Sequence, residues 1–378
     1  MSGAERRPPS VSFETALRIL RGTFHFEDVL QSSFKELPCY DDRHFYFEGR
    51  LIPTAQRRDT DDGTAGKFER FVLRTSNLMF PAGLVEGLNA VMLHLSSRGI
   101  NCSRPIASRV GRYMEMIPGK EISQTGHYPQ EYPVRVLRFV SGTLMSELDA
   151  ECLTPTFLYS VGRFAGKVDA TLQDFSHPAI EDFVNECWDL QHFSCLKKYI
   201  SSLSEKKKIA MANSVMKLYE EKIEPMLPSM KKGVIHGDLN GKNIIVQQSE
   251  NSTAIVGLID FGDCVHSYYL FELAILVAHT MMSLSHNNRM ELVAPVIKGY
   301  IDEFPLTQEE LQCLYYAVLA ILCTTGVKGE HVYATEPENM HMQHYIPHAW
   351  KLLSQLLHMS KDSVEALWNI TTVEPCFV

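Results

Sequence analysis

Several features that mark common protein classes are missing from this 378-residue chain. Its longest apolar runs, near residues 270–282 and 314–323, fall short of the roughly 20 residues that a membrane span needs. Residues 1–10 lack the apolar core of a signal peptide. The chain also has no P-loop, G-x-G-x-x-G fingerprint, G-x-S-x-G elbow or H-E-x-x-H motif, and these absences argue against several enzyme classes. We therefore expect a cytoplasmic protein without a membrane partner.

The chain also has fewer basic residues than acidic ones. The chain has 36 Lys and Arg residues against 45 Asp and Glu residues, which gives a formal net charge of −9. Because contact with nucleic-acid phosphates needs a basic face, we do not expect nucleic acid as a partner. The nine cysteines run from Cys39 to Cys376 without a C-x-x-C pair or a zinc-ligand spacing. Their odd number and scatter predict reduced thiols.

The hydrophobic pattern predicts an α+β protein with two domains, which the chain length allows. Residues 1–12 are predicted to be a mobile tail, followed by a helix over 13–23 with Ser12 as its N-cap. Strand patterns, one helix over 84–97 and a long exposed loop at 57–66 predict a mostly antiparallel sheet. Ser141-Gly142 breaks the last strand. Beyond it the pattern is mainly helical, with predicted helices over 154–172, 184–200, 206–223, 271–282, 292–301, 308–323 and 347–358.

Two short loops in the helical part carry the strongest chemical signal. Residues 235–246 have the sequence I-H-G-D-L-N-G-K-N-I-I-V, and residues 258–263 have L-I-D-F-G-D. They place Asp238, Asn243 and Asp260 on loops bounded by apolar strands. Phosphoryl transfer needs such a set, because one carboxylate accepts the acceptor proton while an amide oxygen and a second carboxylate hold magnesium. The alternative is two unrelated turns, since Asp and Asn are common turn residues.

Neighbouring residues of the first loop have less specific interpretations. The spacing of five residues puts Asp238 and Asn243 on one face of the loop, whereas Asn240 and Lys242 are expected to point elsewhere. Lys242 could contact a phosphate or be solvated. For His236 we favour a role in holding the loop through backbone hydrogen bonds over a role in assisting the base.

The motifs H-G-D-L-N-x-x-N-I and I-D-F-G-D resemble those of the aminoglycoside phosphotransferase and choline kinase family, which has a protein-kinase-like fold. The resemblance implies two lobes. The first, over 13–140, has an antiparallel β-sheet with one helix and binds nucleotide. The second lobe, over 141–378, is larger and mainly helical, and it contains the catalytic and substrate-binding residues. The resemblance also implies Asp238 as catalytic base, with Asn243 and Asp260 as Mg²⁺ ligands.

From about Phe34 to Trp368 the chain further resembles the branch of this family that phosphorylates 5-hydroxy-L-lysine, preferably with GTP. That branch implies GTP or ATP as donor and a small cationic hydroxylated amino acid as acceptor. Choline, another amino alcohol or a sugar remain alternative acceptors, and the oligomeric state is open. The stretches that carry this resemblance are 37–42, 71–77, 134–137, 259–263 and 269–274.

The nucleotide-binding residues of the first lobe depart from the family pattern. Arg74 stands at the position of the strand lysine that touches the phosphates, and Glu86 at that of the helix glutamate that pairs with it. Arginine is not equivalent to lysine, so the site is either adapted or that of a catalytically weak pseudokinase. The phosphate-covering loop at 38–44 has no glycine. Tyr40 in that loop and Phe139 in the predicted interlobe hinge, around residues 138–142, complete the expected nucleotide contacts.

Three further carboxylates could belong to the implied site. Asp42 could cap a turn or reach a substrate ammonium, and capping is the simpler interpretation. Asp263 could also bind the substrate ammonium or be a turn residue. Glu272 resembles the family carboxylate that receives backbone N–H bonds and braces the catalytic loop.

Overall fold

A computed structural model divides into two compact units, residues 1–141 and 142–378, and the predicted boundary lies between residues 140 and 141. Tyr40, the loop at 57–66 and most of the predicted N-terminal tail lie outside the described residues. The structure describes residues 10–39, 42–52, 67–78, 80–122, 130–186, 188–250, 252–284, 289–335 and 344–370.

The first unit contains a seven-stranded antiparallel sheet in the order β1-β3-β4-β7-β5, with β2 paired to β3 and β6 paired to β7. Its helices are α1 (Phe13–Thr23), α2 (Ala82–Ser97) and the single turn α3 (Gly119–Ile122), and a 3₁₀ turn spans Gln31–Ser33. The strands are β1 (Phe26–Val29), β2 (Lys35–Leu37), β3 (Arg43–Leu51), β4 (Glu69–Thr75), β5 (Pro105–Ile106), β6 (Glu115–Pro118) and β7 (Glu131–Arg138).

The two faces of this sheet differ in chemistry because side chains alternate along each strand. One face is apolar and packs with helix α1 in a buried core that includes Phe45, Phe71 and Val136. The predicted N-cap is confirmed, since Ser12 Oγ accepts the Thr15 N–H. Val11 is buried in the same core, so the predicted mobile tail does not extend to residue 12.

The other face carries polar side chains in register across three strands. His44 on β3 lies opposite Arg74 on β4, and Arg74 lies opposite Arg135 on β7. Helix α2 packs on this face, where its buried Asn89 accepts a hydrogen bond from Arg135. The sheet therefore presents two neighbouring arginines on one face.

The second unit is mainly helical, as predicted. Its longer helices are α4 (Pro155–Leu172), α6 (Lys206–Lys222), α7 (Tyr269–Ser283), α8 (Ala294–Glu303), α9 (Gln308–Thr335), α10 (Tyr345–Leu357) and α11 (Lys361–Leu367), and α5 is a single turn at Pro178–Glu181. The 3₁₀ segments are Met145–Glu147, Ala150–Cys152, Leu190–Ser202 and Glu224–Ser229.

Two small sheets carry the loops that the sequence singled out. Strands β8 (Thr143–Leu144), β10 (Ile244–Ser249) and β11 (Ser252–Leu258) form a three-stranded sheet in the order β11-β10-β8. Strands β9 (Lys232–Ile235) and β12 (Val265–Tyr268) form an antiparallel pair. The first loop therefore joins β9 to β10, and the second joins β11 to β12.

Three predictions about the helices and cysteines of the second unit need correction. In place of the α-helix predicted at 184–200, the structure has a 3₁₀ segment at Leu190–Ser202, which is interrupted at His192 with φ and ψ of −109° and 22°. Helix α9 runs twelve residues past the predicted end at 323. It is long and apolar enough to cross a membrane, but 89% of its apolar window is buried inside the protein, as in a core helix. Cys195 is in a disulfide rather than reduced.

Helices α4 and α8 approach each other closely because glycines form their contact. A Cβ on Gly162 would lie 1.9 Å from Val296 O, and a Cβ on Gly299 would lie 2.1 Å from Tyr159 O. The contact positions Tyr300 of α8, whose hydroxyl donates to buried Asp169 of α4 at 2.5 Å and to Tyr269 O at 3.3 Å. It therefore supports the start of α7, which carries Glu272.

Replacing Gly162 by alanine should destabilise the second unit by about 3 kcal/mol, because the added methyl overlaps the α8 backbone. The measurement is urea denaturation followed by circular dichroism. Gly22→Ala is the control, since Gly22 lies in helix α1 with no atom within 4 Å of an added Cβ. It should be neutral or stabilise by less than about 1 kcal/mol. Wild-type stability of the Gly162→Ala variant would contradict the packing argument.

Candidate active site

His236 fixes the start of the first loop. It is fully buried, its Nε2 lies 3.1 Å from Ile259 O, and its Nδ1 lies 3.3 Å from the Asp238 backbone N. Burial lowers the pKa of His236 to about 4, so the ring is neutral at physiological pH. A neutral ring that donates at Nε2 and accepts at Nδ1 satisfies both contacts. The predicted role of His236 in holding the loop is confirmed.

The Asp238 carboxylate is held at both oxygens by amides of its own loop. Asn240 Nδ2 donates to Oδ1 at 2.6 Å, and Asn243 Nδ2 donates to Oδ2 at 2.7 Å. Asp238 and Asn243 thus meet as predicted, but the expectation that Asn240 points away is wrong. Burial, followed by the charges of Asp263 and Asp260, raises the pKa of Asp238 well above its ordinary value.

Asn243 and Asp260 provide the oxygen atoms that suit a hard cation. The Asn243 amide nitrogen donates to Asp238 Oδ2 and, at 2.8 Å, to Asp238 O, and neither bond uses its side-chain oxygen. The Asn243 backbone O accepts from Ile259 N at 2.9 Å, which ties the loop to the residue before Asp260. Asp260 is exposed and has a φ of 59°, unusual for a residue other than glycine and common at functional turns.

These residues fit a magnesium ion that is shared with a nucleotide. In the described part of the chain, no three His, Cys, Asp or Glu side chains are placed to hold a metal ion by themselves. Magnesium, however, usually binds one or two protein ligands together with water and substrate phosphates. The Asn243 side-chain oxygen and the Asp260 carboxylate are ligands of that kind.

Gly237 lets the two loops pack against each other. Its φ is 78°, and a Cβ at this position would lie 2.2 Å from Asp263 O. Asp263 itself is half-buried, and its Oδ1 accepts from Asn185 Nδ2 at 2.8 Å. The structure therefore brings Asp263 to the Asp238 loop and gives its carboxylate a partner within the protein.

Glu272 braces the same loop from the first turn of α7. It is fully buried, and its Oε2 accepts the Gly237 N–H at 3.0 Å, which confirms the predicted contact. Burial raises the pKa of Glu272 to about 7, against the opposing effect of the Gly237, His236 and Leu239 N–H groups. Asp169, which the sequence analysis missed, lies in the apolar stripe of α4, and its burial and the charge of Glu272 raise its pKa.

Arg74 in the first unit pairs with a different carboxylate from the predicted one. Its Nε donates to Asp42 Oδ2 in a buried ion pair, and Asp42 Oδ1 accepts the Asn77 N–H at 2.7 Å. Burial by itself would raise the pKa of Asp42, but Arg74, His44 and Asn77 together lower it below its ordinary value. Glu86 is exposed, and its side chain makes no ion pair among the described residues.

This pairing also bears on the two interpretations of Asp42. Its side chain is 1% exposed, and both of its oxygens accept hydrogen bonds inside the first unit, which favours capping over contact with a substrate ammonium.

Opposite Arg74, the buried Arg135 donates from Nη1 to Asn89 Oδ1 at 2.9 Å. Phe139 is half-buried and packs edge-on against Tyr46, with 5.1 Å between ring centroids.

Solved structures with this fold include small-molecule kinases. The structure of a microcompartment-associated aminopropanol kinase aligns with 95% of this chain and all of its own, with a TM-score of 0.63 at 17% sequence identity. The fold class is thus a two-lobed, protein-kinase-like α+β fold, as predicted.

The family is established by the sequence comparisons. Residues 48–311 match the model described as the phosphotransferase enzyme family, and the chain belongs to that family. It is 28% identical to hydroxylysine kinase of Xenopus laevis over 371 residues, which covers 95% of this chain and 93% of that protein. It is 25% identical to homoserine kinase of Methylobacterium radiotolerans over 251 residues, 66% of each chain. The chain is therefore a kinase that acts on a hydroxyl acceptor.

Replacing Asp42 by asparagine should destabilise the first unit by about 3 kcal/mol at neutral pH, because it removes one partner of a buried ion pair. The folded pKa of Asp42 lies below its unfolded value of about 3.9. This contribution is therefore present above about pH 4 and is lost as the pH falls through the folded pKa. Urea denaturation at pH 7 measures the first effect, and a series of denaturation curves from about pH 4 downwards measures the second.

Glu86→Gln is the matched control, because Glu86 occupies the position that the family pattern assigns to the arginine's partner. Its exposed side chain should contribute little, so this variant should unfold like the wild type at every pH. A loss of stability in Glu86→Gln equal to that in Asp42→Asn would contradict the assignment of Asp42 as the main partner.

Proposed function

We propose that this kinase transfers the γ-phosphate of GTP or ATP to the hydroxyl of 5-hydroxy-L-lysine in the cytoplasm. The main support for this proposal is the position of the Asp238 carboxylate. Its two oxygens accept hydrogen bonds from the side-chain nitrogens of Asn240 and Asn243 at 2.6 and 2.7 Å. The sequence similarity to a hydroxylysine kinase, which extends over most of both chains, supports this acceptor. The formal net charge of −9 suits a cationic substrate.

Asp238 is the proposed base in a direct, in-line transfer. The acceptor hydroxyl gives its proton to the Asp238 carboxylate while its oxygen forms a bond to the γ-phosphorus. The bond from that phosphorus to the β–γ bridging oxygen breaks, and the nucleoside diphosphate leaves. The raised pKa of Asp238 makes its carboxylate a better proton acceptor than an ordinary aspartate.

The second loop and the buried carboxylate of Glu272 support this chemistry. Asn243 and Asp260 would hold Mg²⁺, which neutralises charge on the phosphates when it is bound. Glu272 fixes the loop backbone at Gly237, so that Asp238 is pre-positioned rather than ordered by the substrate. Asp263 is a candidate for the acceptor ammonium, although its bond to Asn185 would have to be shared.

Arg74 and Arg135 are the proposed phosphate-binding groups of the first unit. They lie opposite each other on neighbouring strands, and guanidinium groups suit phosphate oxygens. Asp42 forms an ion pair with Arg74, and the neutral amide oxygen of Asn89 accepts one hydrogen bond from Arg135. Tyr40 and Phe139 are the proposed further nucleotide contacts.

A second candidate function rests on the Arg74–Asp42 pair. A guanidinium that is engaged by a buried carboxylate could be poorly available to phosphate, which would make the protein a weak kinase or a binding module. Homoserine, choline, amino alcohols and sugars are the alternative acceptors for an active enzyme.

Purified protein with Mg²⁺ and either GTP or ATP should phosphorylate 5-hydroxy-L-lysine in preference to choline, aminopropanol or a sugar. Asp238→Asn should lower kcat by about 10³-fold, because the base is lost while the size of the side chain is retained. Product formation is measured by mass spectrometry, and circular dichroism checks that the variant folds. No turnover of any acceptor by the wild type would favour the binding module, and equal rates for the two proteins would exclude Asp238 as base.

A further inference from the structure

Lys242 lies in the catalytic loop in an environment that is unusual for a lysine. Its side chain is half-buried, and its Nζ lies 4.6 Å from the ring centroid of Tyr345, the first residue of α10. This distance is within the range of a cation–π contact. The lysine therefore takes part in a specific contact between the catalytic loop and a helix that is distant in sequence.

The ammonium group has no carboxylate at ion-pair distance within the described part of the chain. Asp238 is near enough to act on it electrostatically, but both Asp238 oxygens already accept bonds from Asn240 and Asn243. A half-buried cation without an anionic partner is costly, and an anionic ligand would offset that cost.

The surroundings of Tyr345 add imidazole rings and one further guanidinium group to the same region. The Tyr345 ring packs at 5.5 Å against both His279 of α7 and His344. His344 lies 5.2 Å from His348, and the charge of buried Arg289 acts on His348. This part of the second unit therefore combines aromatic and imidazole rings with cations, beside a loop that carries the proposed base.

We propose that Lys242, positioned by the Tyr345 ring, binds the α-carboxylate of an amino-acid acceptor. This inference rests on the proposed function and narrows the acceptor to hydroxylated amino acids, since choline, amino alcohols and sugars lack the carboxylate. In 5-hydroxylysine four carbon–carbon bonds separate the carboxyl carbon from the carbon that bears the hydroxyl. The two groups could then reach Lys242 and Asp238, which are four residues apart in the same loop.

The competing role for Lys242 is contact with a nucleotide phosphate. A phosphate contact would act on every acceptor alike and would appear in the KM for nucleotide. A carboxylate contact would act only on acceptors that carry the charge. Neutralising the carboxylate of the substrate therefore distinguishes the two roles.

The experiment compares 5-hydroxy-L-lysine with its carboxamide in the wild type, Lys242→Met and Lys242→Arg. In the wild type the amide should have a KM about tenfold higher or more, since a hydrogen bond to a charged group contributes about 1.5–3 kcal/mol. Lys242→Met should raise the KM for the acid to that of the amide and leave the KM for the amide and for nucleotide unchanged. Lys242→Arg should restore most of the discrimination.

Lys232→Met is the matched control. Lys232 also places its ammonium over a tyrosine ring, at 5.2 Å from that of Tyr268, but it is exposed on β9. This variant should retain the wild-type preference for the acid. Equal losses with acid and amide in Lys242→Met, or a raised KM for nucleotide, would overturn the proposal in favour of a phosphate contact.

Binding separates a failure of this inference from a failure of the proposed function. Calorimetric titration of the acid and the amide, with a non-hydrolysable nucleotide present, does not depend on turnover. Tighter binding of the acid by the wild type but not by Lys242→Met supports the carboxylate site even if no transfer occurs. Equal binding of both ligands by the wild type, or turnover only of acceptors without a carboxylate, would overturn it.

Discussion

Three aspartates in two adjoining loops impose the constraint on which the rest of the second unit depends. Asp238 is partly removed from water, and the charges of Asp263 and Asp260 act on it. Carboxylates crowded in this way are unfavourable unless hydrogen-bond donors and cations compensate them. The protein supplies donors from Asn240 and Asn243, and a magnesium–nucleotide complex would supply the cation.

The scaffold around these loops serves to hold that arrangement. Glu272 fixes the loop backbone, and neutral His236 joins it to Ile259, the residue before Asp260. The glycine contact between helices α4 and α8 in turn positions Tyr300 against the start of α7, the helix that carries Glu272. In the first unit the crowded charges are positive, because two arginines are neighbours on the sheet. Asp42 compensates the charge of one of them, Arg74, through a buried ion pair.

What the sequence could predict depended on whether the determining contacts were local. The fold class, helix α1 with its Ser12 cap and the meeting of Asp238 with Asn243 follow from short-range pattern and motif. The pairing of Arg74 with Asp42 spans 32 positions and depends on how β3 and β4 align, so the family pattern pointed to Glu86 instead. Asn240 was missed because a loop does not follow the alternation of a strand. Helix α9 continues past its predicted end because tertiary burial overrides the local pattern.

The most direct test of the central claim is the binding of Mn²⁺, a paramagnetic substitute for Mg²⁺, measured by electron paramagnetic resonance with a non-hydrolysable nucleotide. If Asp260 and Asn243 hold the metal, Asp260→Asn should weaken Mn²⁺ binding by about tenfold or more, since it removes a charged ligand. Asp263→Asn, which changes a carboxylate bonded to Asn185, should bind Mn²⁺ much as the wild type does. Equal Mn²⁺ affinity in the wild type and Asp260→Asn would contradict the account.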